Sequence, residues 1–324
     1  MSASLSVYPA SAKERDAWIV ARRGSRNIVD PLQPYAFTVE EERSASGEMV
    51  PVATVFLANR ECPWRCLMCD LWRNTLTEGV PPGAIPLQID YALKRLPPAR
   101  QIKLYNSGSF FDARAIPPQD LAEIAARVAT FEQIIVECHP ALVGDACFHF
   151  RDRLTGRLEV AMGLETVHPE ILERLNKRMT TEHFASAARR LRSCDVDLRV
   201  FVLVKPPFME EADALEWADR SIDFAFECGA NVVTLIPTRS GNGAMEELAA
   251  TGQFSPPHLA TLEAAAAYGI ALNKGRVFSD LWDLRAKPEC ADCHERRVAR
   301  LHTMNLRQII LPPIKCDQCG ENRG

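Results

Sequence analysis

Apolar and polar positions fall along this chain in regular blocks. Six nearly continuous apolar runs of strand length occur at 52–58, 101–106, 133–138, 158–165, 197–204 and 231–236, each bounded by turn-forming residues. An apolar run without strict alternation is what a parallel strand covered on both faces requires. Between the runs lie stretches with helical spacing, near 86–96, 117–130, 141–154, 168–194 (a pair), 211–227 and 256–268. Strands alternating with helices of this length predict β/α units joined by right-handed crossovers. Six units are too few for a closed eight-fold barrel, so the expected fold class is α/β, a partial (β/α)6 barrel. It spans 51–275, after an N-terminal extension (1–50) and before a cysteine-rich segment (276–324). The extension is polar, with helical spacing around Ala17 to Arg23 and a proline-broken stretch after it.

Barrels of this kind place reactive groups on the loops that follow the strands. Those positions are polar here. The runs end, in order, in a cysteine loop, Asn106-Ser107-Gly108, Glu137-Cys138-His139, Glu165-Thr166, Lys205-Pro206-Pro207 and Thr238-Arg239 with Gly241-Asn242-Gly243. Taken singly these are common turn residues. Their convergence on one rim is the informative feature.

The first loop reads N-R-E-C-P-W-R-C-L-M-C-D-L-W, with Cys62, Cys66 and Cys69 spaced C-x3-C-x2-C. Three thiolates on one short loop can reach three corners of a [4Fe-4S] cube and leave the fourth iron without a protein ligand. A structural zinc site is the competing reading, but it would need a distant fourth ligand. A second group, Cys290-x2-Cys293 and Cys316-x2-Cys319, forms two knuckles whose four thiolates can close a tetrahedron around zinc. An auxiliary [4Fe-4S] cluster accepts the same four ligands, and spacing does not separate the two.

Composition narrows the setting. The 324 residues carry a net charge of −4 with 47% hydrophobic and 25% charged positions, which gives no global sign of a nucleic-acid binder. No apolar run approaches bilayer-spanning length and the N-terminus lacks a signal-peptide core, so a cytoplasmic location without membrane association is expected. In that reducing setting the eleven cysteines are metal or redox ligands and buried hydrophobes rather than disulfides. Arg22, Arg23 and Arg26 form a charge run that reads as a solvated face or a weaker phosphate-contact candidate. Arg296, Arg297, Arg300 and Arg307 fall at helical spacings between the two C-terminal knuckles, either as a phosphate-gripping patch or as a helix paired with nearby acids.

The runs E-C-P-W-R-C-L-M-C-D-L-W, K-L-Y-N-S-G-S-F-F-D, A-M-G-L-E-T-V-H-P-E-I-L-E-R-L-N-K-R and I-P-T-R-S-G-N-G resemble the radical S-adenosylmethionine (SAM) superfamily. Within it they look like the branch of the elongator-type catalytic subunit, and most like the archaeosine-biosynthesis radical SAM proteins. The resemblance covers about residues 20 to 320 and implies a radical SAM barrel. It also implies a [4Fe-4S] cluster on Cys62, Cys66 and Cys69, with SAM chelating the open iron. By position, Asn106, Ser107 and Gly108 would receive the SAM amino group and Glu165 the ribose hydroxyls. Lys177 or Arg178 would pair with the SAM carboxylate. Met68 stands where the family usually has an aromatic residue against adenine, and its thioether can still contact a ring face.

The expected function is therefore a radical SAM enzyme. It would cleave SAM reductively to a 5′-deoxyadenosyl radical, with electrons from a reductase or a flavodoxin- or ferredoxin-type donor. The resemblance implies a tRNA nucleoside as substrate, with a small metabolite or a peptide as alternatives. A metal-dependent RNA-binding or assembly module without radical chemistry is the reading from another class.

Overall fold

The computed structural model describes residues 8–284 and 289–319. Eight strands form one sheet in chain order: β1 (Ala36–Arg43), β2 (Met49–Phe56), β3 (Gln101–Tyr105), β4 (Gln133–Glu137), β5 (Arg157–Glu165), β6 (Asp197–Val204), β7 (Val232–Pro237) and β8 (Arg276–Ser279). Strands β2 to β8 run parallel and β1 pairs antiparallel to β2. The helices are α1 (Ala12–Ala21), α2 (Ala84–Leu93), α3 (Asp120–Arg127), α4 (Asp145–Arg151), α5 (Pro169–Arg174), α6 (Thr181–Ser193), α7 (Glu211–Glu227), α8 (Ala244–Ala250), α9 (Leu259–Ala271) and α10 (His294–Arg307). None of these helices is long and apolar enough to cross a membrane.

Strands β2 to β7 are the six apolar runs of the sequence. Two strands were not anticipated. β1 reads A-F-T-V-E-E-E-R, and its charges hide it from a hydrophobicity reading while suiting it to a sheet edge. β8 is only four residues long, too short for a periodic signal. Helix α10 packs against both β1 and β8, the two outer strands of the sheet. One helix can reach both edges only because the sheet curls into an incomplete barrel.

The two faces of the sheet differ in chemistry. Val55, Ile102, Leu104, Ile134, Val136, Val160, Met162, Val200, Val202, Val233 and Leu235 are fully buried in the main apolar core with helix residues such as Ile89, Ile124, Phe184 and Ile222. The alternate positions face the lumen, where a floor of charge spans the strands. Arg199 donates to Glu159 at 2.6 Å and to Glu42 at 2.5 Å, Lys103 pairs with Glu42, and Gln133 donates to Glu159 at 3.0 Å. Burial alone would raise the Glu42 pKa, but Arg199 and Lys103 hold that carboxyl well below its ordinary range. Arg276 closes the ring from β8, donating to the Arg43 carbonyl of β1 at 2.8 Å. Toward the C-terminal strand ends comes an aromatic layer, in which Tyr105 lies 6.2 Å from Phe56 and 6.5 Å from Phe201 between ring centres. The floor seals one end of the barrel, and the rim at the other end is left for chemistry.

Candidate cluster and cofactor site

The cysteine loop leaves β2 at the rim and is hung from two other rim turns. Leu67 N–H donates to the Leu175 carbonyl at 2.9 Å, and the Asn176 amide donates to the Arg65 carbonyl at 2.7 Å. From the β7 end, the Asn242 amide donates to the carbonyls of Leu67 at 2.7 Å and Cys69 at 3.2 Å, while accepting from Met245 N–H at 2.9 Å. Gly243 beside it has φ +87°, and a Cβ there would overlap the Arg22 carbonyl, so only glycine lets the segment after α1 lie against this turn. Trp64, between the first two cysteines, stacks on His139 of the β4 end with ring centres 3.8 Å apart and planes 11° from parallel. His139 in turn contacts the Lys177 carbonyl through Nε2 at 3.0 Å, and burial keeps its ring neutral, with a pKa near 4. Asn176, Asn242, Trp64 and His139 thus set the loop conformation. Their sequence signal was weak, since each is an ordinary turn or loop residue until the strand ends are brought together.

Burial pushes all three loop thiols up, Cys69 to about 12. Such thiols give up their protons to a metal rather than to water. The adjacent turn presses on the loop. A Cβ on Gly108 would stand 3.3 Å from the Cβ of Cys62, a close approach that a larger residue would widen.

Around the loop the rim supplies polar groups in unusual states. Asn106 is fully buried, and neither its amide nitrogen nor its amide oxygen has a partner. An unspent donor and acceptor at the same buried spot are ready for a polar ligand, since leaving both unmade is costly. Ser107 follows with φ +53° and shares a 3.1 Å hydrogen bond with Tyr35. Below them the Glu137 carboxylate accepts from Asn106 N–H at 3.2 Å, and burial raises its pKa to about 7. Glu165 sits at φ +68° after a register shift between Gly163 and Glu165 in the β5–β6 pairing. That irregularity turns its carboxylate into the mouth. Lys177 lies against it, paired with Glu165 and donating to the Gly163 carbonyl at 2.6 Å.

Of the two cations the sequence offered for one role, the structure separates Lys177 from Arg178. Lys177 is buried in the mouth, whereas Arg178 points away and binds Asp16 and the Ala12 carbonyl of α1 at 2.8 and 2.7 Å. Met68 bridges two small apolar clusters, one built on α1 and α8 and one containing Leu203 and Ile236 from the lumen ends of β6 and β7.

The arginine runs also resolve. Arg23 and Arg26 are not a solvated face, for both pair with Glu61 in the cysteine loop, Arg23 at 2.7 Å. Arg297 and Arg300 are buried against Glu263 of α9, at 2.5 and 3.0 Å, so they hold α10 to the barrel rather than grip a phosphate. Only Arg296 and Arg307 of that set remain exposed.

At the C-terminus, Cys290, Cys293, Cys316 and Cys319 converge, with all four sulfurs within 4.8 Å of one another. Cys290 lies 3.8 Å from Cys316, and Cys293 lies 3.7 Å from Cys319. Hydrogen bonds from the backbone N–H of Cys293 draw the Cys290 thiol down to about 7, toward the thiolate.

No family model matches the chain. An uncharacterized protein of Methanocaldococcus jannaschii is 24% identical over 250 residues, covering 72% of this chain and 68% of its own length. Archaeosine synthase subunit beta of Methanosarcina acetivorans is 27% identical over 229 residues, 66% of this chain and 65% of the relative, so the likeness spans just under two thirds of that protein. Among solved structures, an N-terminally truncated Elp3 of Methanocaldococcus infernus superposes with a TM-score of 0.51 at 15% identity, over 68% of this chain and 60% of that one. That likeness is one of fold, an α/β architecture whose strands β2 to β8 run parallel in a single curled sheet.

Proposed function

We propose that this chain cleaves SAM reductively at a [4Fe-4S] cluster held by Cys62, Cys66 and Cys69, and that it acts on a nucleoside in tRNA. The observation that carries the reading is the company the loop keeps. Beside three half-buried thiols stand an Asn106 amide with neither end partnered and a buried Glu165–Lys177 pair. A donor, an acceptor, a carboxylate and an ammonium are the complement that an amino acid joined to a ribose calls for. The residues present therefore fit the cofactor. Bound there, cluster and SAM would supply one-electron cleavage of a sulfonium and a radical able to abstract hydrogen.

The chain's own residues do the rest. Asn106 and Ser107 receive the amino group at the end of β3, Lys177 meets the carboxylate, and Glu165 accepts from the ribose hydroxyls. Met68, beside Leu203 and Ile236, offers an apolar wall for the adenine. The charged floor formed by Glu42, Lys103, Glu159 and Arg199 closes the opposite end, so access is through the rim. The tRNA reading is supported by the relative named archaeosine synthase subunit beta.

The C-terminal quartet reads as zinc. A tetrahedron with Zn–S bonds of about 2.3 Å has sulfur–sulfur edges of about 3.8 Å, the spacing of the two pairs here. A four-iron cube is wider than a single ion and would hold its four thiolates farther apart.

The test is anaerobic reconstitution, reduction with dithionite and assay for 5′-deoxyadenosine and methionine. Both products are expected from the native chain and neither from Cys66→Ala. An intact, reducible cluster that never cleaves SAM, even with tRNA present, would defeat the proposal. Comparison of modified nucleosides in total tRNA from a deletion strain and its parent tests the substrate.

A further inference from the structure

A depression of about 340 Å³ opens on the outer side of the cysteine loop, where the segment after α1 crosses it, and its walls include Val20, Arg23, Arg26, Glu61, Arg65 and Trp72. Three guanidinium groups there face one carboxylate. Glu61 accepts from or pairs with Arg23 at 2.7 Å, Arg65 at 3.1 Å and Arg26, so its charge is shared three ways and the site keeps an excess of two positive charges, three arginines less one glutamate.

A second observation is independent of that count. Among the described residues, the buried side-chain nitrogens with no hydrogen-bond partner include Trp18 Nε1, Arg22 Nε, Arg23 Nε, Trp72 Nε1 and Arg73 Nε. All five are donors. Arg23 and Trp72 line the depression, Arg22 lies over the Trp18 ring at 3.7 Å, and Arg73 is 5.7 Å from the Trp72 ring. At the depression itself, the unspent N–H groups of Arg23 and Trp72 together with an excess of positive charge call for a ligand that only accepts and is itself negative. The Trp72 ring and the exposed Val20 give the same hollow an apolar flank.

We propose that this depression binds a phosphate group, either a phosphodiester of an RNA strand or a free phosphate compound. The site stands on its own geometry. With an RNA source it would fix the substrate's backbone next to the cysteine loop, a role that rests on the proposed function. Glu61 immediately precedes Cys62, so an anion competing for Arg26 and Arg65 acts on the residue that leads into the cluster loop.

The experiment uses the full chain and two probes, inorganic pyrophosphate followed by tryptophan fluorescence and bulk tRNA followed by anisotropy across a salt series. Val20→Glu places a carboxylate in the hollow at an exposed position and is expected to weaken anion binding by about tenfold, while Val20→Gln leaves it unchanged. Glu61→Gln removes the opposing charge and is expected to tighten it. Loss of both pyrophosphate and tRNA affinity in Val20→Glu, with a salt slope smaller by about one phosphate contact, identifies RNA as the source. Loss of pyrophosphate affinity alone identifies a free phosphate compound. Unchanged binding of both probes in a folded Val20→Glu chain, checked by its thermal melt, overturns the proposal. No arm requires SAM cleavage, so failure of the radical reading leaves the result interpretable.

Discussion

Lys177 and Glu165 are paired with each other inside the barrel mouth, and the Lys177 ammonium also donates to the carbonyl of Gly163 at 2.6 Å. A Cβ at Gly163 would overlap both charged groups, so that glycine is required by the pair itself. Burial alone would lower the Lys177 pKa, but Glu165 and the nearby thiols hold the ammonium charged.

Removing one member strands the other. Lys177→Met or Glu165→Gln alone is expected to cost about 3–5 kcal/mol in urea unfolding, and the double substitution to recover most of that loss. A double variant as unstable as the sum of the singles would show that the two side chains do not act as a pair. SAM binding by equilibrium dialysis should fall in all three.

The pH dependence of stability should carry the mark of Glu137. Its carboxyl has an ordinary value near 4.5 and is pushed up to about 7 in the folded chain, mainly by burial. The folded state therefore holds a proton that the unfolded state releases between those values. This group's contribution is greatest below pH 4.5, declines as pH rises to about 7 and is flat above. The difference in urea midpoint between the native chain and Glu137→Gln, followed across that window, should show the decline. A constant difference would mean Glu137 titrates normally.

The barrel floor gives a comparable effect. Arg199 is 3% exposed and joins Glu42 of β1 to Glu159 of β5. Arg199→Met leaves two buried carboxylates facing each other and is expected to cost about 3–5 kcal/mol, with partial rescue at acid pH as they protonate. Thermal unfolding at two pH values tests it, and equal losses at both would exclude the charge argument.

Metal analysis addresses the C-terminus. One zinc per chain is expected in protein purified without iron, absent from Cys293→Ser, with the loop cluster still assembling on Cys62, Cys66 and Cys69. Iron in place of zinc at the quartet, read by elemental analysis of the Cys66→Ala chain, would reverse that assignment.

Arg297→Ala and Arg296→Ala should part company despite adjacency. Arg297 is buried on Glu263, as is Arg300, whereas Arg296 is exposed. The former is expected to lose roughly 3 kcal/mol of stability, the latter to stay within about 0.5 kcal/mol. Equal melts for the two variants would contradict the packing of α10 on α9.

Much of the architecture could be read before any contact was known. β2 to β7 are locally encoded by uninterrupted apolar runs, and Cys62, Cys66 and Cys69 by a spacing that serves one loop. Asn106 and Glu165 could be placed at the rim because a strand's end marks which residues follow it, whereas Lys177, twelve residues past β5, was offered with Arg178 only by the family resemblance. β1 and β8 escaped because an edge strand needs only one apolar face and a four-residue strand holds no full period.

The roles of the charges belong to the tertiary structure. Nothing along the chain distinguishes Lys177 from Arg178, or Arg297 from Arg296, and Glu42 joins Arg199 across 157 residues. Local pattern fixes which residues form strands and helices, because periodicity acts over a few neighbours. Whether a guanidinium is a clamp, a floor tile or a free cation depends on which carboxylate folding brings within a few ångström. That distance is set by the curl of the sheet, since Coulomb attraction under partial burial falls steeply with separation and desolvation.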